Sequence, residues 1–172
     1  MSVTLTKQPP KKIIGAPDAG KRRPWSAAKS NGVVKFCVHG PTAKSVASDF
    51  TPSKLIAVLR LGLPVRELDD LQASLAVPME QLVPMLGISK ATLHRRKAEG
   101  RLGQAESDRV VRFARLMGKA VEVMESEAGA RRWLTAPQFG LGGAVPLEYA
   151  ETEVGAREVE DLLGRIEQGV YS

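Results

Sequence analysis

Lys90, Thr92, His94, Arg95, Arg96 and Lys97 fall within eight consecutive positions, a density of cationic and hydrogen-bonding side chains suited to phosphates and base edges. No acid interrupts the run, so a purely structural helix there would repel itself. Ser89 offers a capping oxygen ahead of it and Gly100 a stop behind it, which makes the run one short helix. Upstream, residues 79–86 (MEQLVPML) place Leu82, Val83 and Leu86 on one face, and Gly87 supplies a turn that Ile88 and Leu93 can close. The pair reads as a helix-turn-helix whose second helix enters a DNA major groove. Ser89, Lys90, Thr92, His94, Arg95, Arg96 and Lys97 are its expected contacts. A solvated basic face on an ordinary helix pair is the alternative. Pro84 has no N–H for the Glu80 carbonyl and should bend or shorten the first helix. Arg96 occupies a turn that usually faces inward, so its stem is expected to pack while its head reaches a phosphate.

Residue types for other chemistry are scarce. Cys37 is the single cysteine, which excludes an internal disulfide, and two histidines make no metal-ligand set. His39 lies beside Gly-Pro and His94 among arginines, and no glycine-rich phosphate loop follows a strand. Neither catalysis nor a bound metal or cofactor is expected. No stretch has the length and apolarity of a membrane span or a signal peptide, so a reducing cytoplasm is the expected location.

Charge divides the chain into unlike ends. Residues 1–44 carry nine Lys and Arg against Asp18 alone, whereas residues 145–172 carry two Arg against seven acids. The first end suits a polyanion and the second does not. Residues 1–50 are read as a flexible basic arm of Pro, Gly, Lys and Arg, either lying along DNA or simply solvated. Within it, VVKFCV (residues 33–38) follows an Asn-Gly turn and has a strand's composition, with no obvious partner strand in the chain.

Elements that must hold the recognition helix come next. Order is expected from Phe50, with Thr51 and Pro52 opening a helix through Leu55, Ile56 and Leu59 to Gly62. Pro64 opens another through Leu68, Leu71 and Leu75, and Pro78 opens the first half of the helix-turn-helix. Residues 51–104 therefore form the DNA-binding domain and residues 105–172 a second helical domain. Its longest helix carries Val110, Phe113, Met117, Val121 and Met124 as a stripe that needs either intrachain cover or a second copy, since such proteins read paired half-sites as dimers. Thr152 caps a last helix with Val159, Leu162, Leu163 and Ile166 inward, and Gly169 releases its end.

In this last segment the sequence resembles the Xre/MbcA/ParS toxin-binding family, antitoxins paired with RES-domain toxins. The matching features are Trp133-Leu134, Pro137, Leu141-Gly142-Gly143, Pro146-Leu147, Thr152-Glu153, Gly155-Ala156, Glu158-Val159 and Leu162-Leu163-Gly164-Arg165-Ile166 to Gly169-Val170-Tyr171. The likeness extends less sharply back to about residue 55. It implies an all-α antitoxin whose first domain binds its own operator and whose second covers the pocket of an NAD-consuming toxin. The implied plug is Arg165, Gly169, Val170, Tyr171 and Ser172. Trp133, Leu141, Gly142, Gly143, Arg157 and Glu158 complete the implied toxin-binding surface. A stand-alone repressor whose C-terminal part only dimerises is the alternative function.

Overall fold

The apolar stripe within residues 105–125 folds as the central helix, and the other elements are laid around it. The computed structural model describes residues 30–40 and 51–170. Its elements are α1 (Val33–His39), α2 (Pro52–Leu61), α3 (Arg66–Leu75), α4 (Met79–Met85), α5 (Lys90–Glu99), α6 (Gln104–Met124) and α7 (Glu127–Thr135). A 3-10 turn (Phe139–Leu141), α8 (Pro146–Tyr149) and α9 (Glu153–Glu167) follow. The all-α expectation holds. Thr51, Ser89, Ser126 and Thr152 each accept a backbone N–H at the start of a helix. A cap of this kind contributes about 1 kcal/mol.

Helix α6 is the spine because both of its ends are used. Val110, Phe113, Leu116 and Met117 are fully buried, with α1, α3, α7 and α9 packed along it. The chain itself thus covers most of the stripe, and a second copy is not needed to bury it. At its first turn, Ser107 Oγ accepts the Leu63 N–H at 2.8 Å and donates to the Gly103 carbonyl at 2.7 Å. Beside it, the Leu102 N–H donates to the Leu63 carbonyl and the Val65 N–H to the Gly100 carbonyl. Two loops are stitched together this way, which braces the helix-turn-helix against α6.

Residues 33–38 correct the sequence reading: the expected strand is helix α1. β-branched composition favours a strand only where a partner edge exists. Here a helical seat exists instead. Val33, Val34 and Val38 are buried. At Gly118 of α6 the backbone comes so close that a Cβ would lie 2.2 Å from the Cys37 carbonyl oxygen. The first turn of α1 lacks a capping side chain of its own, because Gly32 stands at its N-cap. Glu67 of α3, fully buried, supplies one across the fold. Its carboxylate accepts the N–H groups of Val33 (3.3 Å) and Val34 (2.8 Å) and the hydroxyl of Ser30 (2.7 Å). This part of the expected arm therefore belongs to the core. The rest of that arm, residues 1–29 and 41–50, lies outside the described residues. Burial pushes the Cys37 thiol up to about 11, against a smaller opposing pull from Arg115, so it is an inert thiol at neutral pH.

No helix among the described residues is long and apolar enough to cross a membrane.

Candidate nucleic-acid and protein interfaces

The turn between α4 and α5 is built from three local causes. Pro84 falls in the last turn of α4, which ends at Met85, and the Gly87 N–H donates to the Pro84 carbonyl at 2.7 Å. Gly87 has φ +61°, which a side chain would strain. Arg109 of α6 donates to the Leu86 carbonyl at 3.1 Å and fills the space below the turn. Leu82, Val83, Leu86 and Ile88 close the angle as buried side chains, with Leu93 of α5 packed against them in part.

Helix α5 itself buries no residue completely and keeps a polar face at the surface. Ser89 Oγ accepts the Thr92 N–H at 3.1 Å and donates to Thr92 Oγ1 at 2.9 Å, which orients both hydroxyls at the start of the helix. Lys90, His94 and Arg95 are exposed. Arg95 also pairs with Glu99 at 3.2 Å. Lys97 is half-buried near Asp69, whose carboxyl is raised by burial while Arg66 and Lys97 oppose the rise. Arg96 differs from its neighbours: its guanidinium is held by Glu99 (2.8 Å) and by Glu106 at the start of α6 (2.8 Å). Glu106 also accepts the Gly103 N–H, so one carboxylate caps α6 and fastens α5 to it. The head expected at a phosphate is engaged by two carboxylates within the fold.

The second face lies at the far end of α6. Leu141 is buried and acts as core, whereas Gly142 (φ +66°) and Gly143 (φ +87°) are exposed in left-handed conformations that turn the loop. The Gln138 N–H donates to the Ala144 carbonyl at 3.0 Å and Gln138 Nε2 to the Trp133 carbonyl at 2.9 Å, closing that loop against α7. Trp133, Met124, Phe139, Leu162, Ile166 and Val170 line an apolar cleft of about 450 Å³ between this loop and α9. Phe139 on its rim is 98% exposed.

Not all of the expected toxin contacts meet there. Glu158 is exposed on α9 and is not among the residues lining the cleft. Arg157 is rotated away, pairs with Glu153 at 3.4 Å, and borders a separate cleft with Leu55, Leu59 and Arg112. Arg165 is half-buried, its Nε enclosed with no hydrogen-bond partner among the described residues, and its carbonyl accepts the Val170 N–H at 2.8 Å. Gly169, at φ +73°, turns the chain out of α9, and Val170 is half-exposed. Tyr171 and Ser172 lie outside the described residues. Phe139, Met124 and Ile166 line the cleft but were not in the expected toxin-binding set, where Met124 and Ile166 counted only as apolar helix positions. The usable signal was an aromatic at position 139 inside a Pro-Gln-Phe-Gly loop, where no helical period would bury it.

Residues 54–115 match the antitoxin Xre-like helix-turn-helix domain, and residues 119–169 match the antitoxin Xre/MbcA/ParS C-terminal toxin-binding domain. An antitoxin Xre from Yersinia enterocolitica is 37% identical over 120 residues, 69% of this chain and 81% of that one. This chain belongs to the Xre/MbcA/ParS antitoxin family. A second antitoxin Xre, from Photorhabdus laumondii, is 35% identical over the same shares of both chains. A Sphingobium protein named Prs ADP-ribosylating antitoxin is 26% identical over 133 residues, 71% of this chain and 83% of its own. The antitoxin is thus a type II antitoxin with a helix-turn-helix domain. The two matched regions part between residues 115 and 119, inside α6, where the structure also shows one helix serving both halves. Neither match includes α1 of this antitoxin.

Proposed function

We propose that this antitoxin neutralises a RES-domain toxin by covering the site at which that toxin consumes NAD, and that it represses its own operon by binding operator DNA. The observation that carries the reading is the way α9 ends. Within a domain of the toxin-binding family, Gly169 ends α9 at a positive φ, and Val170 stands half-exposed with its N–H on the Arg165 carbonyl. Chain that leaves the helix at this point can enter a neighbour's pocket without unfolding the domain behind it. The acidic balance of residues 145–172 complements a toxin mouth that admits an anionic nucleotide. A catalytic role is not part of this proposal, and the cytoplasm is the proposed location. Paired operator half-sites favour a homodimer as the DNA-bound form.

The test is co-expression with the adjacent reading frame. That protein should arrest growth when produced alone, be harmless with this chain, and copurify with it. Growth arrest despite abundant antitoxin, with no complex recovered, would refute the pairing. For the DNA half, replacing Lys90 and Arg95 together by alanine should weaken operator binding by about tenfold or more and lower the salt slope by roughly 2, as two lost phosphate contacts require. Toxin binding should be unaffected. Arg96→Ala should instead lower the thermal unfolding midpoint by roughly 3 °C, since it leaves the half-buried Glu106 without its partner. Equal loss of DNA binding in all variants at unchanged stability would place Arg96 among the contacts.

A further inference from the structure

We propose that the apolar cleft between the 138–144 loop and α9 is a second, separable docking site, which takes an apolar side chain presented by the toxin beside its active-site mouth. This rests on the toxin-binding reading above and specifies which surface, besides the terminal plug, holds the partner.

The argument starts from Phe139. A side chain 98% exposed on a soluble surface contributes nothing to the fold, yet its backbone is held with unusual care. Gly140 approaches α9 so closely that a Cβ would lie 2.6 Å from Leu162 Cδ1. The loop is closed behind it by Gln138 on the carbonyls of Ala144 and Trp133. An aromatic on a rigid turn loses little conformational freedom when a partner covers it, which is the economy of a binding anchor. Beside it, Trp133, Met124, Leu162 and Ile166 form an apolar floor that excludes a charged guest.

Position identifies the occupant. Those floor residues and Phe139 all fall within residues 119–169, the matched toxin-binding domain, and Val170 lines the cleft as well. Val170 is also where the proposed plug leaves α9. A toxin that receives the chain leaving α9 at Val170 is brought against the cleft, because Val170 belongs to both surfaces. A second antitoxin copy seated there would cover Val170 and obstruct that approach, so the toxin is the favoured occupant.

The experiment uses the full-length antitoxin and the purified protein of the adjacent reading frame. Phe139→Ala should weaken their complex by about tenfold and Phe139→Glu by about a hundredfold, with the unfolding midpoint and DNA binding of the antitoxin unchanged. A chain lacking residues 171–172, which keeps Val170 in the cleft wall, should keep measurable affinity, and Phe139→Ala should lower it further. Wild-type affinity in both Phe139 variants, while the parent chain binds the toxin, overturns the cleft and leaves the plug standing. Absence of binding by the parent chain removes both. A changed oligomeric state of the free antitoxin with toxin affinity intact assigns the cleft to a second copy and also overturns the proposal.

Discussion

Deleting residues 169–172 should abolish protection against the toxin while leaving the antitoxin folded and able to bind DNA. The deleted segment contributes two hydrogen bonds to the described fold, from the Gly169 N–H to the Ile166 carbonyl and from the Val170 N–H to the Arg165 carbonyl. Both are at the surface end of α9, where a lost hydrogen bond costs about 1 kcal/mol. Global stability should therefore fall little. Under the proposed steric block, neutralisation should fall completely, because such a block has no graded substitute: once the toxin's pocket is open, its substrate enters. Growth of cells carrying the toxin and the truncated chain, compared with the full chain at equal expression, reads the effect. Undiminished protection would mean that masking is performed by another part of the domain.

The second large effect is expected from Gly155→Ala. Alanine inside a helix is normally favoured over glycine by about 1 kcal/mol. At Gly155 the sign reverses, because a Cβ would lie 1.8 Å from the Tyr149 carbonyl oxygen and 2.8 Å from its carbon. Those are backbone atoms in α8, and they cannot swing away as a side chain can. Either α8 separates from α9 or the first turn of α9 shifts, and Val159, Leu162 and Leu163 lose their seats in the core. A loss of at least about 3 kcal/mol is expected, in the range of severe overpacking. Thermal unfolding followed by circular dichroism measures it. Toxin binding should be lost more completely than DNA binding, because α5 is fastened to the far end of α6 by Arg96 and Glu106. A variant with the parent's midpoint would show that the junction relaxes at little cost.

How far the chain could be read from its letters depends on the range of each interaction. Helix starts at Thr51, Ser89 and Thr152 were legible, since a cap joins residues three apart and needs no tertiary partner. So were the Gly87 turn and the stop at Gly100, where positive φ is a local demand. The basic run of α5 was legible as a surface, and so was the inward turn at Arg96, but the destination of its guanidinium was not. What sets it is Glu106, ten positions on and in another helix. Helix α1 was misread for the same reason: its cap is Glu67 and its seat is Gly118, both distant in sequence.

By itself, then, the sequence determined the helices with their own caps, the turn that angles α4 against α5, the cationic character of one surface, and the family to which the last forty or so residues conform. Only the tertiary structure decided that residues 33–38 are helical, that Arg96 is occupied by carboxylates, that Arg157 faces away from the Trp133 cleft, and that Phe139 stands uncovered on its rim. Propensity, capping and periodicity act over a few residues and are written in order along the chain. Burial and ion pairing depend on which distant atoms share a space, and that is settled when α6 gathers the other helices around it.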